Sequence, residues 1–313
     1  MRVIYMGTPA LSVSPLDLLL EKKYQVVGVY TQPDRPAGRG RGVLTSPVKA
    51  YAEERGLKVL QPTSLGSYHT YSEFRSLKPD VVVVAAYGKI LPKRLVRFPL
   101  FGCINIHPSL LPRHRGPSPV PFTLLEGDSV AGVTLMLLDE GMDTGPIIAQ
   151  KEESIFPEDT GATLSNRLFV EGARLLADNL PLYLKGSIVP RPQTESGVTY
   201  ARKLTKEDGR IQWERSTESI WRQVRAYSIW PGSYTFWRKK LLKVLEAVPL
   251  GGGEGVSPGE VVILQSGSPV ALGVATGDGI LGIKRVQLEG KRAMDAGEFL
   301  QGHEEFRIAM LPS

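Results

Sequence analysis

Residues 103–116 read Cys-Ile-Asn-Ile-His-Pro-Ser-Leu-Leu-Pro-Arg-His-Arg-Gly, an apolar strand that runs into a proline-bearing loop. Side chains alternate across a strand, so Ile104 and Ile106 can enter a core while Asn105 and His107 share the opposite face. An amide donor beside an imidazole that can become a cation suits one task, stabilising an oxyanion that develops on a carbonyl under attack. A third group should then orient the imidazole and favour its protonated form. Candidates lie in Asp139-Glu140-Gly141-Met142-Asp143-Thr144-Gly145-Pro146, a tight loop after the apolar run 133–138. Asp143 is preferred over Asp139 and Glu140, although spacing leaves the choice among the three open. Taken singly, an Asn-x-His at a strand end is commonly a satisfied structural pair, and a carboxylate in a glycine-rich turn commonly caps its own backbone.

The elements that must position these residues are legible as alternating runs. Residues 3–6, 26–30, 81–86, 103–107 and 133–138 are apolar and β-rich, and amphipathic stretches at 14–22, 48–55, 71–77 and 119–126 fall between them. This βαβ rhythm predicts a parallel sheet covered on both faces. Ligands of such sheets bind beyond the carboxyl ends of the strands, where Asn105, His107 and the Asp143 loop are expected to fall. A longer helix is predicted over 162–184. The stretch 188–208 turns polar and proline-bearing and is expected as a linker, which makes 1–187 the catalytic domain. Short β candidates at 211–215, 232–238, 241–248, 259–264, 270–275 and 279–287, with one helix at 217–226, predict a small barrel over 209–313. Periodicity alone leaves a sandwich fragment open.

Length and composition bound the function. At 313 residues two domains are the prior expectation, and 42% hydrophobic content suffices for real cores. No segment approaches an uninterrupted membrane span, and Met1 to Gly7 has the form of a short strand entering a turn rather than a signal peptide, so a cytoplasmic protein is expected. The single cysteine, Cys103, lies in an apolar strand and reads as a buried hydrophobe. His69, His107, His114 and His303 have no metal-ligand spacing, and no metal is expected. A nicotinamide enzyme is disfavoured because Gly7-Thr8-Pro9-Ala10 lacks the later glycines of a dinucleotide fingerprint. The net charge of +6 favours a polyanionic partner without requiring one. Residues 31–47, Thr-Gln-Pro-Asp-Arg-Pro-Ala-Gly-Arg-Gly-Arg-Gly-Val-Leu-Thr-Ser-Pro, form a loop too long for an ordinary βα connection. Its arginines suit phosphate contacts.

The segment Asn105 to Pro112 followed by Asp143-Thr144-Gly145 resembles the formyltransferase family that uses 10-formyltetrahydrofolate. The resemblance implies that Asn105, His107 and Asp143 are the catalytic trio. It also implies that Ser109, Leu110, Leu111 and Pro112 line the folate pocket, with pterin recognition near Lys89 to Leu91 and Glu140 to Asp143. The loop Gln-Pro-Asp-Arg-Pro-Ala-Gly-Arg-Gly is similar to the one by which methionyl-tRNA formyltransferases engage the acceptor end of initiator tRNA. Arg39 then becomes the principal tRNA-sensing residue, with Arg35 and Arg41 beside it. Landmarks of that family, Arg210-Ile211-Gln212-Trp213, Trp230-Pro231 and Ala275-Thr276-Gly277-Asp278-Gly279, extend the resemblance over essentially the whole chain.

The implied architecture is an α/β, Rossmann-like parallel-sheet formyltransferase domain followed by a small β-barrel (OB-like) domain that binds tRNA. The implied reaction carries the formyl group of the folate cosubstrate to the α-amine of methionyl initiator tRNA. Asn105 and protonated His107 would stabilise the oxyanion, and Asp143 would raise the imidazole pKa and help relay a proton. A monomer is the expectation. Two alternatives stand beside this reading. An amino-sugar nucleotide formyltransferase would share the trio but have little use for the arginine loop, and a non-catalytic RNA-binding protein would leave the trio a coincidence.

Overall fold

Runs of β-branched and aromatic residues set the strands of the first sheet, with Val-Val-Val-Val-Ala at its centre. In chain order the elements are β1 (Arg2–Gly7), α1 (Val13–Glu21), β2 (Gln25–Tyr30), β3 (Arg35–Ala37), β4 (Gly42–Leu44), α2 (Pro47–Glu54), β5 (Val59–Leu60), α3 (Tyr68–Ser76), β6 (Val81–Ala85), α4 (Lys93–Val96), β7 (Cys103–His107), α5 (Pro119–Glu126), β8 (Val130–Leu137), β9 (Ile147–Ser154) and α6 (Gly161–Leu184). The computed structural model describes residues 1–37, 42–253, 255–264 and 268–313, without the side chains of 35–37 and 42–43. Two compact units emerge. One holds Met1–Pro119, Ser129–Ile155 and Ser165–Ala201; the other holds Val120–Asp128, Phe156–Leu164 and Arg202–Ser313.

The first unit is built on a seven-stranded sheet in the order β5-β2-β1-β6-β7-β8-β9. Pairings from β5 through β7 are parallel, and those of β7 with β8 and of β8 with β9 are antiparallel. The parallel sheet expected from the βαβ rhythm is present from β5 through β7, and the strand read at 133–138 joins it antiparallel. A parallel neighbour needs a crossover that carries the chain back along the sheet. Here α5 belongs to the second unit, and β8 re-enters beside the end where β7 stopped, pairing Thr134 with His107 and Leu137 with Ile104.

The sheet buries both faces. On one, Val81, Val83, Ile104, Ile106 and Val133 pack with Phe169 and Leu176 of α6; on the other, Val82, Val84 and Cys103 pack with Phe74 and Leu95. Gly172 of α6 sits where a Cβ would lie 2.5 Å from Ile106 Cγ2 and 3.0 Å from Val133 Cγ2, so its lack of a side chain sets the approach of the helix to β7. Helix starts are capped as their sequences suggest: Ser46 Oγ accepts from Lys49 N–H, and Ser67 Oγ accepts from Thr70 N–H, each at 3.1 Å. β3 and β4, both within the arginine loop, pair antiparallel as a separate two-stranded sheet.

The second unit continues with α7 (Thr217–Ala226), β10 (Ser233–Trp237), β11 (Lys240–Leu250), β12 (Val261–Ile263), β13 (Leu272–Ala275), β14 (Ile280–Leu288), β15 (Met294–Asp295) and α8 (Ala296–Gly302). It is a curled antiparallel sheet of half-barrel form, in the order β10-β11-β14-β13-β12 with β15 on β14. Two register shifts in β11 around Glu246 supply local twist. The expected strand at 211–215 is not formed: Arg210 makes an isolated bridge to Tyr234, Ile211 N–H donates to Tyr234 O, and the chain then turns at Trp213, which is buried at 1% exposure, with Arg215 N–H donating to Gln212 O. Among the described residues, no helix is long and apolar enough to cross a membrane.

Candidate active site

β7 delivers the donor pair by strand alternation. Ile104 and Ile106 enter the core against α6, while Asn105 and His107 take the opposite face at the carboxyl end of the strand. Asn105 is half-buried, and its side-chain amide bonds to none of the described residues. His107 is 4% exposed. Its Nε2 lies 3.1 Å from the His114 carbonyl, which can only accept, so Nε2 carries the proton of the neutral ring and Nδ1 is its basic nitrogen. That Nδ1 faces Asp143 Oδ2 at 3.7 Å, an electrostatic rather than a hydrogen-bonding separation.

The three acidic residues of the downstream loop have separate tasks. Asp139 caps the turn, accepting from Gly141 N–H and Thr144 Oγ1. Glu140 pairs at the surface with Lys93 at 2.7 Å and Arg97 at 2.5 Å, and the Lys93 ammonium holds its carboxyl below the ordinary range. Only Asp143 reaches His107. The route was not the expected one: Leu138 donates to Cys103 O, so the loop leaves from the amino end of β7 and doubles back to the imidazole. Asp143 adopts φ 53°, a left-handed conformation that Asp tolerates better than most residues, and its Oδ2 accepts from Gly116 N–H at 2.8 Å. Gly116 is required there: its φ is 120°, and a Cβ on it would stand only 2.5 Å from Ala201 O.

The electrostatic balance departs from the expectation. Asp143 was expected to keep the imidazole protonated, but burial dominates and holds the His107 pKa below its ordinary value, with the Asp143 charge pulling the other way. In the free protein the ring is neutral and poised to take a proton at Nδ1 beside a carboxylate. Burial also pushes the Cys103 thiol up to about 12, which removes it as a nucleophile.

Of the residues expected to meet folate, Ser109, Leu110, Leu111 and Pro112 form a turn tied to the sheet. Thr134 Oγ1 donates to Ser109 O at 2.6 Å and accepts from Leu111 N–H at 3.2 Å and from Gln150 Nε2 at 2.9 Å. The Ser109 hydroxyl is committed to Arg113 O at 2.8 Å, and Leu111 is buried against Met136 and Ile147. Lys89 spends its ammonium on the Pro62 and Thr63 carbonyls, while Leu91 packs into the core beneath. Arg35 begins β3; Arg39 and Arg41 lie outside the described residues. The sequence reading missed Thr134, Gln150 and Gln193. Gln193 belongs to the stretch expected as a linker, yet it donates to the Asp143 and Gly145 carbonyls, each at 2.8 Å.

Residues 1–180 match the formyl transferase family, and residues 203–304 match the formyl transferase C-terminal domain. A methionyl-tRNA formyltransferase of Dehalococcoides mccartyi is 45% identical over 98% of this chain and 97% of its own. The chain belongs to the methionyl-tRNA formyltransferase family. It is thus a formyl-transferring enzyme. A second family member, from Myxococcus xanthus, is also 45% identical, over 97% of this chain and 95% of its own. Among solved structures, HypX from Aquifex aeolicus in complex with tetrahydrofolic acid superposes with a TM-score of 0.66 at 21% identity. That match covers 98% of this chain but 47% of HypX, so the chain spans about half the length of that protein and shares its fold.

Proposed function

We propose that this formyltransferase carries the formyl group of 10-formyltetrahydrofolate to the α-amino group of methionyl initiator tRNA in the cytoplasm, yielding N-formylmethionyl-tRNA for translation initiation. The observation that carries the reading is the extent of the likeness, 45% identity over 98% of the chain and so through both units. A shared trio alone would fit an amino-sugar nucleotide enzyme equally well.

The residues present fit the folate cosubstrate: an uncommitted amide at the end of β7, a buried imidazole beside it, and a turn at 109–112 held by Thr134 and Gln150. When bound, that cosubstrate supplies the formyl carbon. Asn105 donates to the oxygen that becomes negative as the neutral amine attacks. His107 takes the amine's proton at Nδ1, the negative charge of Asp143 stabilises the imidazolium so formed, and the ring returns the proton to the departing nitrogen. One C–N bond forms, one breaks, and the proton count closes. Much of the remaining acceleration comes from holding both substrates in register. Acceptor recognition falls to Arg39, with Arg35 and Arg41, and to residues 209–313 acting as a tRNA-binding domain joined through 188–208.

The test is release of tetrahydrofolate with methionine-charged initiator tRNA, methionine-charged elongator tRNA, and no acceptor. Turnover confined to the initiator is expected. Turnover without tRNA would overturn the reading in favour of a hydrolase, and turnover only with an amino-sugar nucleotide would replace the acceptor.

A further inference from the structure

Three polar contacts hold the pair His107 and Asp143, and all of them trace to one segment, residues 193–201. The His114 carbonyl that receives His107 Nε2 is placed by its own N–H, which donates to Thr199 Oγ1 at 2.8 Å. The Gly116 N–H that meets Asp143 follows Arg115, whose N–H donates to Thr199 O at 2.9 Å and whose carbonyl accepts from Ala201 N–H at 2.7 Å. The third contact is the forked amide of Gln193, whose Nε2 donates to the main-chain carbonyls of both Asp143 and Gly145.

The orientation of that amide is dictated by its neighbour. Arg115 is 2% exposed, and its Nε donates to Gln193 Oε1 at 3.0 Å. A guanidinium has no acceptor, so the amide must turn its oxygen to Arg115 and both of its N–H groups to the loop. One donor pair thereby closes the two carbonyls that flank Thr144 and fixes the left-handed turn at Asp143, a conformation that an unsupported loop would readily leave.

We infer that Gln193, oriented by buried Arg115, is a positioning residue for formyl transfer that holds Asp143 against His107. The inference rests on the proposed roles of Asp143 and His107. Gln193 touches neither the imidazole nor the carboxylate; it acts through the backbone that carries Asp143. Its loss should lower kcat and leave the KM values for folate and charged tRNA nearly unchanged.

The decisive experiment is a double-mutant cycle on full-length protein, with kcat and both KM values measured for wild type, Asp143→Asn, Gln193→Ala and the double variant. Gln193→Ala should reduce kcat at least about tenfold with KM values within about twofold. In the Asp143→Asn background the same change should cost less than about twofold, because groups that act through one another are not additive. Gln193→Glu keeps the volume and the acceptor facing Arg115 but loses both donors, and should match Gln193→Ala; it replaces that variant in the cycle if the alanine protein does not fold. Multiplicative losses in the double variant, a kcat kept by Gln193→Glu, or a loss confined to KM would each overturn the inference. If instead wild type fails to transfer formyl, the proposed function falls and this inference with it; if wild type is active but Asp143→Asn is equally active, the role of Asp143 falls and this inference with it, while the proposed function stands.

Discussion

Asn105 is the residue whose chemistry is least entangled with folding. Its amide has no partner among the described residues, so Asn105→Ala should leave the denaturation midpoint nearly unchanged while lowering kcat by about a hundredfold or more, the scale of losing one oxyanion donor. A variant with near-normal kcat would remove Asn105 from the chemistry. His107 makes a prediction about pH. As the proton acceptor it must be neutral, and burial holds its pKa below the ordinary value near 6.5, so kcat/KM should hold through about pH 6.5 and fall only in more acid solution. The same depressed pKa means that the unfolded chain binds the proton more readily, so stability should decline as pH drops below about 6.5 toward the folded value. Asp143 pulls the imidazole pKa up, and Asp143→Asn should therefore move the acid limb to still lower pH while reducing the rate. A limb that stays put or moves to higher pH would show that the carboxylate is not coupled to His107. At this scale the sequence was informative where chemistry is carried by side-chain type, as at Asn105 and His107. It left Asp139, Glu140 and Asp143 unranked, because their tasks differ by which partners the fold brings near and not by residue type.

The strand that carries the donor pair is held from behind by α6. Gly172 lets that helix approach β7 so closely that a Cβ would stand 2.5 Å from Ile106 Cγ2, and both Ile106 and Val133 are buried and β-branched with little rotamer freedom. Gly172→Ala sets two effects against each other: a gain of about 1 kcal/mol in helix propensity and an overpacking cost of about 1–3 kcal/mol. Because neither neighbour can swing aside, the cost should fall in the upper part of its range and win, giving a net loss of up to about 2 kcal/mol in denaturant titration. Since Ile106 lies between Asn105 and His107, kcat should fall as well. A variant as stable as wild type would mean that the helix yields and that Gly172 does not set the register of the site. Element positions were mostly legible because apolar runs and caps are local signals. Strand direction was not: β8 is buried on both faces like a parallel strand, and its antiparallel entry follows from where the chain spends 108–129, which no run of residues reports. Gln193 was hidden for a related reason. A polar, proline-bearing stretch reads as a linker, and the long-range bonds of 193–201 to 112–118 leave no periodic trace.

Charge belongs to the whole chain. The excess of 38 Lys and Arg over 32 Asp and Glu is modest, and many of the charges of both signs meet in surface ion pairs such as Arg238 with Glu305 and Arg292 with Glu298, which leave that excess unchanged. Exposed pairs of this kind contribute little to stability, about 0–1 kcal/mol each. A net +6 therefore matters less for holding the fold than for drawing in a polyanion. The two substrates should then respond differently to salt. A tRNA releases condensed counterions for every phosphate that is neutralised, and several such contacts make binding fall steeply with ionic strength; a folate carries only a few carboxylates. Raising monovalent salt from about 50 to about 200 mM should increase KM for charged tRNA at least about tenfold and change KM for 10-formyltetrahydrofolate by less than about threefold. If the two KM values rose together, the basic charge would be acting on the fold or on the donor site, and the acceptor would have to be recognised by means other than its phosphates. If neither moved, the arginines at 35, 39 and 41 would have no electrostatic task, and a small, weakly charged acceptor would become the better fit to a site whose donor machinery is unchanged.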